Sequence, residues 1–339
     1  MKIEITQKPS DYENFLINNS SSFYQSSKHL SFLENILEIP PKFITVRESM
    51  DIVGVLPIFY KKTKLGIVIN SLPFFGSYGG VISQKNEVKK IILKFLNDHL
   101  KELDILSTVI ISNPFEKTET YEKYFEYTEK VQRISQCIKI QNKKSEEIWN
   151  NFEQRVRRGI RKAEKNSIVT EYSEPTKNIL HDFYKNHVKN ISSKNGAIKP
   201  KKFFECVKNN FEVSEDYDIL TAKYNEKTIA NLLVFYSKPY TEYYMPAYDI
   251  ENSHLQGTSL LIWESIKKSI SRNMKYYNFG GTHKKHDSLY NFKKGWNTED
   301  FIYNYYINAD LDRLSSIDLD ELKQEFDFFY VYNYNKILN

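Results

Sequence analysis

Apolar positions along the chain recur at two different spacings, and the switches between them mark out the elements. From Lys85 to Lys101 they fall at Val88, Ile91, Ile92, Phe95, Leu96 and Leu100, the rhythm of a helix with one buried face. His29–Leu37 repeats that rhythm at Leu30, Leu33 and Leu37 until Pro40-Pro41 stops it, and Asp11–Asn18 is a shorter helical stretch. Lys42–Glu48 and Ile52–Tyr60 alternate like paired strands around a turn at Ser49–Asp51, and Pro57 predicts an edge or a bulge. Met1–Ile5, Leu65–Leu72 and Thr108–Ser112 read as further strands.

A second cycle opens near Ser145. Ser145–Asn166 predicts one long helix, with Ser145 as N-cap and Glu146 and Glu147 in the first turn, where the helix dipole favours anions. Its apolar stripe is Ile148, Phe152, Val156, Ile160 and Ala163. Thr176–Asn190 and Pro200–Phe211 follow as helices. Three strands, Tyr217–Tyr224, Thr228–Tyr236 and Tyr240–Tyr248, then read as an antiparallel meander joined by short turns. After it come a helix Ser259–Asn273, a strand Tyr276–Phe279, a Gly280-Gly281 break, a short helix near Ser288–Phe292 and a terminal strand Phe301–Ile307. The pattern is mixed α and β without a low-complexity linker. It predicts domains 1–144 and 145–339, with the boundary in Gln141-Asn142-Lys143-Lys144.

Length supports that division, since 339 residues can bury two cores. Hydrophobic content of 40% and charged content of 27% are those of an ordinary soluble protein. The 25 Tyr and 22 Phe accompany abundant Asn, Lys and Ile, a profile that an AT-rich genome produces, so the aromatic excess carries little functional weight. A net charge of +5 informs only through its clustering. Cys137 and Cys206 have no metal-ligand spacing and read as buried small residues of a reducing compartment. No apolar run approaches the ~20 residues of a spanning helix, and Met1–Ile5 reads as an alternating strand start rather than the apolar core of a signal peptide. A cytoplasmic location is expected, with peripheral membrane contact left open.

Several segments could carry chemistry. Pro73-Phe74-Phe75-Gly76-Ser77-Tyr78-Gly79-Gly80 concentrates three glycines, as a close backbone approach requires. Arg155, Arg158, Lys162 and Lys165 share one face of their helix, which is either a solvated surface or a receptor for phosphate-bearing ligands. Gln256, Gly257, Thr258 and Ser259 open a helix whose first amides could face an anionic donor, or simply form a capped start. In Phe292-Lys293-Lys294-Gly295-Trp296, Lys293 is a surface lysine between anchored rings or a fixed cation for developing negative charge. Glu242 and Asp249 are candidate general bases or plain strand-edge carboxylates, while Tyr240, Tyr243, Tyr244 and Tyr248 could orient a substrate or pack. His283-Lys284-Lys285-His286 has the spacing of two ligands but no third, and its lysines would repel a cation, so no metal site is expected.

Four segments together resemble the FemA/FemB/FemX superfamily, whose members carry two GNAT-like acyltransferase lobes in tandem. They are Phe23-Tyr24-Gln25-Ser26-Ser27-Lys28-His29, the run R-V-R-R-G-I-R-K-A-E-K at Arg155–Lys165, Tyr243–Gly257 with the helix after it, and Phe279-Gly280-Gly281-Thr282 with Phe292-Lys293. The resemblance spans nearly the whole chain. It implies an α/β (α+β) fold of two lobes, each a mixed, mostly antiparallel sheet flanked by helices, the first binding acceptor with a degenerate donor site. It also implies amide-bond formation, moving an aminoacyl or acyl group onto an amine of a peptidoglycan-type or other surface-glycan precursor. By the resemblance, Lys293 lies near the transition state, and Lys28, Arg155, Arg158, Tyr244 and Phe292 position the anionic acceptor. The start of the helix at Gly257–Ser259 would face the donor. No tightly bound cofactor is implied; the cosubstrate is aminoacyl-tRNA or acyl-CoA. The long charged arm of some members is absent, and the segment at Gly257 has one glycine where a coenzyme A loop has several. The other readings are a coenzyme A-dependent N-acyltransferase for an amino sugar or small amine, a non-catalytic binding module, and a nucleic-acid-binding protein for RNA or DNA resting on the basic helix. For the acyltransferase readings tRNA is the nucleic-acid partner left open and no DNA partner is expected.

Overall fold

The computed structural model describes residues 1–19, 22–74, 78–193, 196–282 and 287–333. The chain divides into two compact units, Met1–Ile134 with Ile302–Asn339, and Ser135–Phe301.

The first unit contains β1 (Lys2–Thr6), α1 (Tyr12–Ile17), α2 (Ser27–Leu37), β2 (Lys42–Glu48), β3 (Asp51–Thr63), β4 (Gly66–Asn70), α3 (Asn86–Leu100), β5 (Ile105–Ile111) and α4 (Glu119–Tyr124). β6 (Glu129–Lys139) carries the chain into the second unit. There follow α5 (Ser145–Asn151), α6 (Gln154–Lys165), β7 (Val169–Ser173), α7 (Lys177–Ser192), α8 (Phe203–Asn210), β8 (Tyr217–Tyr224), β9 (Lys227–Ser237), β10 (Tyr240–Tyr248), α9 (Gly257–Ser271), β11 (Tyr276–Thr282) and α10 (Asp287–Lys294). β12 (Glu299–Ala309) returns the chain to the first unit, which ends with α11 (Leu311–Ser316) and α12 (Leu319–Glu325).

Strand order in the first unit is β1-β2-β3-β4-β5-β12, antiparallel except for the parallel pair β4–β5. In the second it is β11-β10-β9-β8-β7, antiparallel except for the parallel pair β10–β11. The strands within each unit are thus mixed and mostly antiparallel, as the family resemblance implies. The pattern drew a single boundary at residue 144, whereas the chain changes unit twice, because Tyr305–Ala309 pair with Ser107–Ile111. Pro57 faces Phe43 of β2, and pairing to β4 begins only at Phe59, so its missing N–H falls where the β4 side is open.

One expected element breaks. The predicted helix Ser145–Asn166 is two, because Phe152 (φ −67°, ψ 147°) and Glu153 (φ −59°, ψ 151°) are extended. Glu153 N donates to Gly295 O at 2.9 Å, and the Arg157 guanidinium donates to the carbonyls of Asn150 and Phe152, replacing helical bonds lost at the break. Lys144, not Ser145, stands at the N-cap. The apolar stripe survives the break: Ile148, Phe152, Val156, Ile160 and Ala163 are all buried. They join Leu261, Ile262 and Ile266 of α9 and Leu220, Leu232 and Val234 of the sheet in one core. Each such side chain contributes about 1.5–3 kcal/mol. That core fixes α9 beside β10, and so fixes the site.

Candidate active site

β10 and β11 run parallel but stay paired for only three residues each, Tyr240–Glu242 against Tyr276–Asn278. Beyond that point they part. A register shift between Tyr243 and Met245 bends β10, and Gly280 (φ +73°) turns β11, a conformation that glycine adopts without strain. Strands that stop pairing leave main-chain donors and acceptors for another partner.

A cavity of about 500 Å³ opens along the diverging part of β10. Its walls are apolar: Ile229, Ala230, Tyr243, Pro246, Tyr248, Leu289 and Phe292. Its mouth is polar, formed by Asn252, Ser253, Gln256, Gly257, Thr258 and Ser259. All four residues expected to face the donor are therefore together at the opening, with Phe292. No side chain caps the first turn of α9; Gln256 adopts the left-handed region (φ 63°) and its Oε1 accepts from Ser259 Oγ at 3.1 Å. Gly257 is needed for close packing, since a Cβ there would lie 3.1 Å from Ile229 Cδ1 and 3.3 Å from Ala222 Cβ.

Two charged groups are buried where the strands part. Glu242 accepts from Asn278 Nδ2 at 2.8 Å. Asn278 Oδ1 in turn accepts from Gly280 N at 2.8 Å and Ser135 Oγ at 3.0 Å, tying three strands together. Burial pushes the neighbouring Cys137 thiol well above its ordinary range, which removes it as a nucleophile. Lys293, at the end of α10, donates to Gly280 O (3.0 Å), Gly281 O (3.1 Å) and Thr282 Oγ1 (2.7 Å). Thr282 Oγ1 in turn donates a hydrogen bond to Gln136 Oε1 at 3.0 Å. Three acceptors around Nζ suit the ammonium form, while burial pushes its pKa down to about 7. The cation thus holds the end of β11 rather than projecting into open space.

The remaining expected residues lie elsewhere. Asp249, like Glu242 and Lys293, is not among the residues lining this cavity; its carboxylate accepts from Lys227 Nζ (3.1 Å) and Asn252 Nδ2 (2.8 Å). Burial pushes its carboxyl up, but the bonds from Asn252 and Lys227 outweigh that and hold it below the usual range, so it is a weak base. Tyr244 stacks on Phe203 with centroids 6.0 Å apart and stands 5.5 Å from Lys199 Nζ. Arg155 is engaged by Glu153 and the Asn291 carbonyl, and Arg161 lies over Trp149. Arg158, Lys162 and Lys165 remain exposed on α6. Lys28 is exposed on α2, in the first unit. Among the described residues no group of three or more His, Cys, Asp or Glu could hold a metal; His283–His286 and part of the glycine segment, Phe75–Ser77, lie outside them. Asn278, Ser135 and Gln136 carry no expectation from the sequence, and Thr282 enters only as part of the segment Phe279-Gly280-Gly281-Thr282. The one signal was an amide inside the otherwise apolar run Tyr276-Tyr277-Asn278-Phe279.

Residues 150–294 match the family described as Acetyltransferase (GNAT) domain. No curated protein matches the chain. Among solved structures, FemX superposes with a TM-score of 0.69 at 14% identity, covering 95% of this chain and 99% of that one. L-PGS from Bacillus licheniformis gives 0.57 at 12% identity, covering 94% and 95%. A tandem GNAT protein from the clavulanic acid biosynthesis pathway gives 0.54 at 8% identity, covering 90% and 98%. The resemblance to FemA, FemB and FemX thus holds at the level of fold, and the chain is an acyltransferase of tandem-GNAT architecture whose residues 150–294 match the GNAT acetyltransferase family.

Proposed function

We propose that the protein transfers an aminoacyl or acyl group onto an amine of a cell-envelope precursor, of peptidoglycan type or another surface glycan. The observation that carries this reading is the parting of β10 from β11 beside a cavity whose mouth is the uncapped start of α9. The donor lies along that cavity, its anionic portion at the amides of Gly257, Thr258 and Ser259 and its carbonyl where the strands part. Glu242 takes the proton that the attacking ammonium must lose. As the amine adds, the carbonyl oxygen gains negative charge, and the Lys293 ammonium, with the strand end it holds, stabilises that charge from close by. Collapse of the adduct expels the donor's ester or thioester oxygen or sulfur and leaves an amide. Arg158, an exposed cation of the second unit, suits the anionic part of such a precursor. Two buried cysteines fit a cytoplasmic location, and among the described residues no helix is long and apolar enough to cross a membrane.

A coenzyme A-dependent transfer to an amino sugar or small amine is the second reading, supported by the acetyltransferase family match. Purified protein supplied in parallel with charged tRNAs and acyl-CoAs, plus envelope precursors, separates the two by product mass. Product that vanishes with ribonuclease and persists without coenzyme A esters supports the aminoacyl version. The reverse result overturns it, and no acylated precursor from either donor overturns the envelope reading.

A further inference from the structure

A second niche of about 220 Å³ lies between α7 and the far end of β10. From Tyr243 to Asp249 the chain advances six residues, roughly 20 Å at ~3.3 Å per residue, so this niche is not where the acyl carbonyl reacts. It is held firmly: Asn190 of α7 donates to Tyr248 O (2.9 Å) and accepts from Tyr248 N (2.8 Å).

One turn earlier on α7 is Asn186, 8% exposed, which lines the niche and has no hydrogen-bond partner among the described residues. Its amide is not among the sealed polar atoms of the described residues, so it opens into the niche and is available to a ligand there. The charges around it are mixed. Asp249 and Lys227 satisfy one another, and Asn252 Nδ2 and Glu251 N complete the carboxylate. That leaves Lys185 and Lys189 beside Asp182 and Glu251, all four exposed and none in an ion pair among the described residues. An anion alone would meet two carboxylates, and a cation alone would meet two ammoniums. A group bearing both charges, with an amide or carboxylate for Asn186, satisfies all of them.

We propose that this niche binds a zwitterionic amino-acid unit, a free amino acid or a short peptide with both termini free, at a subsite separate from the reacting centre. The carboxylate sits toward Lys185 and Lys189, the ammonium toward Asp182 and Glu251, and Asn186 meets the amide or carboxylate. The test is calorimetric and uses no acyl donor, so its outcome does not depend on the transfer reaction. The probes are alanyl-alanine, N-acetyl-alanyl-alanine and alanyl-alanine amide. Saturable binding of the first, with each single-charge analogue at least about tenfold weaker, is expected. Asn186→Leu and, independently, the exposed Lys189→Glu should each weaken the first probe by about tenfold or more with the circular dichroism spectrum unchanged. Absence of saturable binding, equal binding of all three probes, or wild-type binding by both folded variants overturns the proposal.

Discussion

Each unit contains one parallel strand pair bridged by a helix, β4-α3-β5 in the first and β10-α9-β11 in the second, and the two pairs end differently. In the first the pairing runs on past β4: Ser71 N donates to Val109 O at 3.0 Å, Ile111 N to Ser71 Oγ at 3.0 Å, and Gly79 N to Ile111 O at 2.9 Å. The C-terminal segment adds to it, with Tyr330 N on Asn70 Oδ1 (2.8 Å) and Ser107 Oγ on Val331 O (2.5 Å). These bonds close that strand end among the described residues. In the second the pairing stops at Glu242 and Asn278, and side chains of Asn278 and Lys293 hold the end of β11 by its own backbone. The comparison teaches that the open strand end is an actively maintained feature, since the same topology closes when a serine follows the strand.

If the open end is the reacting centre, Glu242→Gln should have the largest effect. The amide keeps the shape and can still meet Asn278, but cannot accept the amine's proton. We expect kcat/KM to fall about 10²–10⁴-fold with the fold intact. Wild-type activity in a folded variant would remove Glu242 from proton transfer. Gly257→Val comes next. Its methyls must push α9 off Ile229 and Ala222, and a shift of about 1 Å at the cavity mouth can cost on the order of a hundredfold. The rise should appear in KM for the donor; an unchanged donor KM would place the donor elsewhere.

Much of this was legible in the sequence, for physical reasons that differ by region. The meander β8–β10 is bounded by tight turns and carries enough buried β-branched and aromatic residues to be read almost residue by residue. The helix after the meander showed through its apolar spacing, although it begins at Gly257 rather than Ser259. The α5–α6 break did not show, because Phe152 and Val156 keep a helical spacing while tertiary bonds to Gly295 override it. β6 also went unread, since Ser135-Gln136-Cys137 is a buried polar run that strand alternation does not announce. Such a run is stable only when Asn278 and Thr282 arrive from distant sequence. Asp249 had the right residue type, but only the fold shows Lys227 beside it.

The dependence on pH should be smaller and has a definite sign. With its pKa down at about 7, Lys293 is charged below that value and neutral above it. If its charge supports the transition state, activity falls about tenfold between pH 6 and pH 8 along this limb. Lys293→Met should be slower at pH 6 and lack the limb. A limb that persists in Lys293→Met belongs to another group.

The smallest effect on catalysis belongs to the closed pair. Ser71→Ala removes the acceptor for Ile111 N inside a buried strand end, leaving that amide without its partner at a cost of about 1–3 kcal/mol. Denaturant unfolding should register the loss. Acyl transfer by the folded variant should not change, because the first unit's strand pair holds no ligand in this reading. The two strand pairs then separate cleanly, one variant altering stability without chemistry and Glu242→Gln altering chemistry without stability. A Ser71→Ala protein that folds but loses turnover would show that the closed pair also serves the reaction, and the contrast between the units would fail.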